Sequence, residues 1–306
     1  MTAASKKDLA ASVLARLLAR ARETGDDYQT LVSRYVTERF LYRLGVSRVG
    51  DRFVLKGAVL LRVWSPQPYR ATRDLDLLHR GDGSPDVIRA EIAEILAVNV
   101  EPDGVAFDPD SIRTEPIRPE DEYAGLRATI RVRCGTYRST LQVDIGVADA
   151  VWPPVTAGPV PCLLGMPEPS VLAYSRDSVV AEKLEAIIVL GDRNSRIKDF
   201  FDLRHLAENF AFDRPTLTEA VRRTLERRKT VLTDDEPFGL TEAYWDSPGR
   251  STQIRAFSRR AGLDVDTETV RKIPAVLHAF LNPVLEDVRR GRQTHGTWTP
   301  PGPWKP

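Results

Sequence analysis

Cysteine is scarce: the 306 residues hold two, Cys134 and Cys162, far apart in the chain. Two cysteines cannot build a disulfide framework, and their spacing is not that of a zinc site, so a reducing compartment is expected. Histidine is scarce as well, and His79, His205, His278 and His295 show neither zinc-ligand spacing nor a nucleophile partner. No run of about 18 apolar residues is present to span a bilayer. The opening residues lead into a helix broken by arginines instead of a signal-type apolar segment. Excess charge of one sign is also missing. The formal net charge is +1, so no global field draws the chain to nucleic acid or membrane, although a local basic face stays possible. These absences point to a soluble, cytoplasmic protein with no membrane role. Hydrophobic residues at 42% and charged residues at 28% are ordinary globular values, and the length allows two or three units with real cores.

Helical periodicity dominates both ends. Residues 5–23 place Leu9, Val13, Leu14, Leu17 and Leu18 at helical spacing, and the pattern stops before Gly25. A second helix, Tyr28 to Leu44, carries Leu31, Val32, Tyr35, Val36, Phe40 and Leu41 on one broad face. These helices cover a sheet or, since Arg34, Arg39, Arg43 and Arg48 cluster there, form a basic arm for RNA. From Arg52 to Leu78 the pattern reads strand, Gly57-Ala58 turn, short helix, polar loop, strand. Ser84 caps a helix over 86–98 with Pro85 at its first position, and 100–122 read as irregular with at most one short strand. Tyr123 to Val147 alternates as two strands around a Gly135–Ser139 hairpin loop. Six prolines make Val151 to Pro169 a connector. Asp177 or Ser178 caps a helix over 179–190, a second runs over about 197–209, and 214–306 read as helical down to a frayed tail at Pro300–Pro306.

The chemistry concentrates between Phe53 and Leu78. On a strand, side chains two apart face the same side, so Asp74 and Asp76 point together while Leu75, Leu77 and Leu78 serve the interior. Two adjacent carboxylates repel unless a cation or proton lies between them, and hard ions such as Mg2+ take oxygen ligands while keeping substrate phosphates in their shell. Gly57 opens a helix after a strand, where free N–H groups favour an anion, and it precedes the aspartates by 17 and 19 residues, room for one helix and a return strand. Asp144 leaves the otherwise apolar strand Leu141–Ile145 and supplies a third carboxylate. Two metals about 4 Å apart on such groups can hold a nucleoside triphosphate and activate a hydroxyl.

At these residues the chain resembles a known superfamily. Leu55-Lys-Gly57-Ala58, Asp74-Leu-Asp76 and Val143-Asp144-Ile145 resemble the DNA polymerase beta-like nucleotidyltransferases. Within them, Glu182-Lys-Leu-Glu-Ala186 and Arg196-Ile-Lys-Asp-Phe-Phe-Asp-Leu203 are similar to the AbiEii/AbiGii toxins, including the mycobacterial MenT enzymes, over roughly residues 30–210. The resemblance implies an α+β fold: a nucleotidyltransferase-like mixed sheet flanked by helices, with an N-terminal helical segment over 1–45, the catalytic domain over 46–210 and a C-terminal helical domain over 211–306. It also implies a toxin, restrained by a cognate antitoxin, that uses NTPs and Mg2+ or Mn2+ and adds nucleotides to RNA such as tRNA, blocking translation. Carried over by position, Asp74 and Asp76 bind metal and triphosphate, Lys183 meets phosphate charge, Asp199 is a further acidic group, metal-binding or base-like, and Asp144 matches the third carboxylate. Ala58 departs from the usual Gly or Ser; it keeps the backbone N–H but lacks a hydroxyl for phosphate, a loss on the order of 1 kcal/mol.

The neighbours of these positions carry two readings each. Arg70 and Arg73 flank Asp74 as solvated loop residues or as triphosphate contacts. Lys183 snorkels from its helix or serves the site. Lys198 is a phosphate contact or half of a surface pair with Asp202, four residues on. Thr72 places a hydroxyl near the metal site, where phosphorylation, reported for some family members, would set about −2 charge against the aspartates. The basic run Arg222 to Lys229 is a solvated helix face or an RNA-backbone contact. Two other functions share these features: nucleotidyl transfer to a small molecule or protein, and non-catalytic nucleotide or partner binding.

Overall fold

The first two helices follow the sequence pattern most directly. In the computed structural model, which describes residues 3–65, 70, 72, 74–117, 125–147 and 149–306, α1 spans Ala3–Thr24 and α2 spans Tyr28–Val46. Ala10, Val13, Leu17 and Ala21 form the buried stripe of α1, and Leu18 faces solvent. In α2 the apolar face from Leu31 to Leu44 is buried, and Asp27 caps the first turn through Thr30 N. The basic-arm reading fails here. Arg39 and Arg43 are buried, Arg43 pairs with Asp103 at 2.6 Å, and Arg34 pairs with Glu38.

Contacts divide the chain into two units. The first contains α1 and α2, then β1 (Phe53–Lys56), α3 (Val59–Trp64), β2 (Leu75–His79), α4 (Pro85–Ala97), β3 (Val105–Phe107), β4 (Arg113–Ile117), β5 (Gly125–Cys134), β6 (Tyr137–Val147), β7 (Thr156–Pro159) and β8 (Ser170–Ala173). These strands form one mixed sheet in the order β3-β5-β6-β2-β1-β8-β7, with β4 also on β5. β1 runs antiparallel to β2 and parallel to β8, and β2 runs parallel to β6. Strict alternation on β5 and β6 buries Leu126, Ala128, Ile130, Val132, Leu141, Val143 and Ile145 and turns the intervening polar residues outward. The hairpin between them is tighter than the sequence suggests: Cys134 pairs with Tyr137 across Gly135-Thr136. The irregular stretch holds two strands, β3 and β4, and the proline-rich connector holds β7 before β8.

The second unit contains α5 (Arg176–Leu190), α6 (Ile197–Asn209), β9 (Phe212–Asp213), α7 (Arg214–Arg227), α8 (Glu242–Trp245), α9 (Arg250–Ala261), α10 (Thr267–Arg289), β10 (Thr297–Trp298) and β11 (Trp304–Lys305). Ser175, not Asp177 or Ser178, caps α5 by accepting from Ser178 N. The chain's end is not frayed. β10 pairs with β9 and β11, Trp298 is buried with its indole N–H on Ala207 O at 2.6 Å, and its ring packs on Phe280 and Trp304. Among the described residues, no helix is long and apolar enough to cross a membrane.

Candidate active site

β1 ends in Lys56, and Gly57 turns the chain toward α3 at φ +72°. That left-handed backbone suits glycine, and a second constraint is local. A Cβ on Gly57 would overlap the carboxylate of Asp76, meeting Cγ at 2.7 Å and Cβ at 2.8 Å. Asp76 therefore occupies the space beside the Gly57 α-carbon that the sequence assigns to a phosphate. Ala58 caps α3 with helical backbone and no side-chain bond. Asp74 is exposed immediately before β2, and Asp76 is half-buried on its second residue. Thr72 Oγ1 lies 3.5 Å from the Asp74 carbonyl oxygen. Arg73 falls outside the described residues.

The sheet register sets Asp76 in a row of charges. Lys56 on β1, Asp76 on β2, Asp144 on β6, Arg127 on β5 and Glu115 on β4 are successive cross-strand partners. Direct partners share a face, so Asp76 and Asp144 point to the same side. The third carboxylate is already engaged: Arg127 Nε and Nη2 donate to Asp144 Oδ1 and Oδ2, both at 2.9 Å, and Gln142 adds a bond at 3.2 Å. Among the described residues, no three His, Cys, Asp or Glu side chains form a metal-holding group. The donors do fit a hard divalent ion of the Mg2+ kind, which takes one or two carboxylates and leaves the rest of its shell to water and phosphate. Asp74 and Asp76 are the two carboxylates whose chemistry could serve such an ion. Lys56 and Arg127 were not singled out from sequence; the alternation of β5 and β6 carries the signal for Arg127, which shares a face with Asp144 once the strands are paired.

At the far end of β2, His79 Nδ1 accepts from Gly81 N, so Nε2 carries the proton toward Glu91 Oε2, 2.8 Å away. Glu91 is paired with Arg52 as well. The buried His79–Glu91 pair, with the exposed Arg52 on its outer side, fixes the end of the strand that bears Asp76.

In the second unit, Lys183 does not snorkel. Its Nζ lies 2.6 Å from Asp199 Oδ1 and 2.8 Å from Asp202 Oδ2, and both aspartates are fully buried. Burial works against the Lys183 ammonium, but the two carboxylates outweigh it and hold its pKa above the ordinary value. Asp202 answers in kind: burial favours its neutral form, yet Lys183 and Arg70 hold its pKa below the ordinary value. Arg70, read from sequence as solvated or triphosphate-facing, makes a two-pronged pair with Asp202 at 2.7 and 2.8 Å. Arg196 Nε lies 2.8 Å from Asp199 Oδ2 as an ion pair without hydrogen-bond alignment. Lys198 is exposed on α6 and makes no surface pair with Asp202, whose carboxylate is interior. The basic run after α7 begins is charge-compensated in part: Arg222 and Arg223 pair with Glu219, Arg222 also with Glu226, and Arg228 with Asp149, Glu182 and Glu185.

No curated protein matches the chain. Two solved structures resemble it: an H. pylori protein designated a candidate nucleotidyltransferase, at 14% identity and TM-score 0.48 over 88% of this chain and all of that one, and JHP933 from Helicobacter pylori, at 13% identity and TM-score 0.45 over 86% and 98%. The family model described as nucleotidyl transferase AbiEii toxin, type IV toxin–antitoxin system, matches residues 39–283, and the chain belongs to this family of nucleotidyltransferases.

Proposed function

We propose that this toxin transfers a nucleoside monophosphate from an NTP to an RNA acceptor, tRNA above others, in a reaction dependent on Mg2+ or Mn2+. Transfer blocks translation in the cytoplasm until a cognate antitoxin protein binds. The observation that carries the reading is the seat of Asp76: a glycine at φ +72° makes room for its carboxylate, two residues after the exposed Asp74. A glycine whose missing side chain makes room for a half-buried carboxylate, with a second carboxylate exposed two residues earlier, supports a cationic ligand at that point. Family membership supports the transfer chemistry and the antitoxin.

Asp74 and Asp76 hold the metal in this reading. The ion, when bound, neutralises phosphate charge and makes an attacking hydroxyl more acidic. Asp144, balanced by Arg127, stands next to Asp76 as a reserve of negative charge, and Gly57 with Ala58 supplies backbone N–H groups near the phosphates. Lys183 is assigned to phosphate charge, with Asp199 fixing its position from one side and Asp202 from the other. Arg73 and Lys198 are assigned to outer phosphate contacts. A phosphate on Thr72 would switch the site off by repulsion from Asp74.

The test is direct. Purified protein incubated with Mg2+, total RNA and each alpha-phosphate-labelled NTP should label RNA, and Asp74→Ala and Asp76→Ala proteins should not. Absence of labelled RNA with the wild-type chain across all four NTPs sinks the reading; label on a small acceptor alone would favour the antibiotic-modifying type of chemistry instead.

A further inference from the structure

The outer face of the β5–β6 hairpin carries Arg127, Arg131, Arg133 and Arg138 and one carboxylate, Asp144. Its rows run Arg127 opposite Asp144, Thr129 opposite Gln142, Arg131 opposite Thr140 and Arg133 opposite Arg138. The last row is a conflict, because like charges directly opposite on adjacent strands destabilise a sheet. Both arginines are exposed, and neither has a carboxylate partner among the described residues. An arrangement of this kind is relieved by an anion from outside.

Between that row and Asp144 lies a shallow concavity of about 280 Å³, lined by Ser111, Arg113, Thr129, Ile130, Arg131 and Thr140. The Ser111 hydroxyl is committed, donating to Asp108 O at 2.6 Å and accepting from Arg131 N at 2.8 Å. The Thr129 and Thr140 hydroxyls and the Arg113 and Arg131 guanidinium groups make the rest of the lining suited to a phosphodiester and its sugar. Arg131 is paired at 2.8 Å with Asp108, but both partners are exposed, and such a pair is weak enough to be exchanged for a phosphate. Thr140 lies four residues from Asp144 along β6, about 13 Å at strand rise, and Arg138 lies about 20 Å away. A small acceptor at Asp76 would leave this whole stretch unused. A polymer would cover it.

We infer that the outer face of the β5–β6 hairpin is the docking track for the backbone of a single-stranded RNA acceptor, with one phosphate in the Arg113–Arg131–Thr140 concavity and the next ones on Arg133 and Arg138. The inference rests on the RNA-transfer reading above and adds where the acceptor lies. Sequence-independent backbone contact explains why arginine and threonine alternate here without an aromatic platform for bases.

Binding of a fluorescein-labelled single-stranded RNA, without NTP, should be followed by anisotropy across a KCl series. The Arg133→Gln/Arg138→Gln protein should bind about tenfold or more weakly at low salt, and its slope of log K against log salt should flatten by about 1.4, two phosphates at 0.7 each. Arg259→Gln, on α9, should leave both unchanged. The double variant removes a like-charge row, so it should melt no lower than wild type, which separates lost binding from lost folding. Equal affinity and slope for the double variant and Arg259→Gln would overturn the track, as would wild-type protein that does not bind the probe. The two claims fail differently. RNA labelling whose RNA KM ignores the double substitution defeats the track and keeps the transfer reading. Salt-sensitive binding through these arginines without any labelling does the reverse.

Discussion

Gly57 and Asp76 show how a single backbone angle fixes a reactive group. Alanine at residue 57 would meet two penalties, left-handed φ and overlap with the Asp76 side chain down to its Cβ. The first costs on the order of 1–3 kcal/mol, and the second cannot be relieved by rotating the carboxylate end alone. Gly57→Ala should therefore lower the melting midpoint by a few degrees and displace Asp76. Displacement by about 1 Å can cost on the order of 100-fold in rate, so label transfer should fall much further than stability does. Unchanged transfer in a folded Gly57→Ala protein would show that the position of Asp76 against Gly57 is irrelevant to the chemistry. Spacing drew attention to Asp74 and Asp76, although β2 begins at Leu75, so the strand pattern covers Asp76 and leaves Asp74 just before it. Arg127 was not, because its partner is 17 residues away and only strand pairing reveals it. The same limit hid the true neighbours of Asp202: local spacing pointed to Lys198, whereas Arg70 and Lys183 reach it from 132 and 19 residues away.

Elements were readable in proportion to their length and periodicity. α1, α2, α6 and the β5–β6 pair carry enough repeats for the pattern to emerge from the sequence, and each forms near its expected place. The strands β3, β4, β7 and β8 are three to five residues long, and Pro116 and Pro159 lie within two of them, so neither alternation nor propensity marks them. They exist because the sheet supplies pairing partners. The small sheet of β9, β10 and β11 is the clearest case, since the prolines around Trp304 suggest a loose end and the tryptophans decide otherwise. Trp298 is buried, bonds to Ala207 O, and contacts Phe280 and Trp304. Trp298→Ala should destabilise the second unit by roughly 3–5 kcal/mol, the usual range for removing a buried large aromatic. A urea titration followed by far-ultraviolet circular dichroism measures it, and a loss under about 1 kcal/mol would mean that the C-terminal strands are not part of that unit's core.

For the whole molecule, a formal net charge of +1 leaves little general self-repulsion near neutral pH, so individual buried groups set the pH dependence of stability. Two aspartates act in opposite senses. Asp202 has a pKa below the ordinary value when folded, so its stabilisation is complete above about pH 4 and is lost as pH falls through the folded pKa. Asp177, in the first turn of α5, is pushed up to about 6 by burial, with Asp213 adding to the effect and its own backbone hydrogen bond and Arg176 opposing it. Between the ordinary carboxylate value and 6 the unfolded chain is ionised there while the folded one keeps its proton. The folded state binds more protons in that window, so stability must fall as pH rises through it. The loss amounts to roughly 2–3 kcal/mol and is complete by about pH 7. Burial lowers the pKa of His205, so its contribution to stability rises with pH over the same range and opposes that of Asp177. The Asp177 share is therefore read between variants: urea unfolding should show Asp177→Asn more stable than wild type at about pH 7.5 and no more stable at about pH 4.5. Identical pH differences for wild type and Asp177→Asn would show that this carboxyl ionises in the folded state at no cost. Asp177 lies six residues before Lys183 on α5, and Asp202 holds that lysine from α6, so the acid limit of the ion network around the phosphate-assigned cation is set by Asp202, while the buried Val180, Leu184 and Ile187 hold the helix itself at every pH.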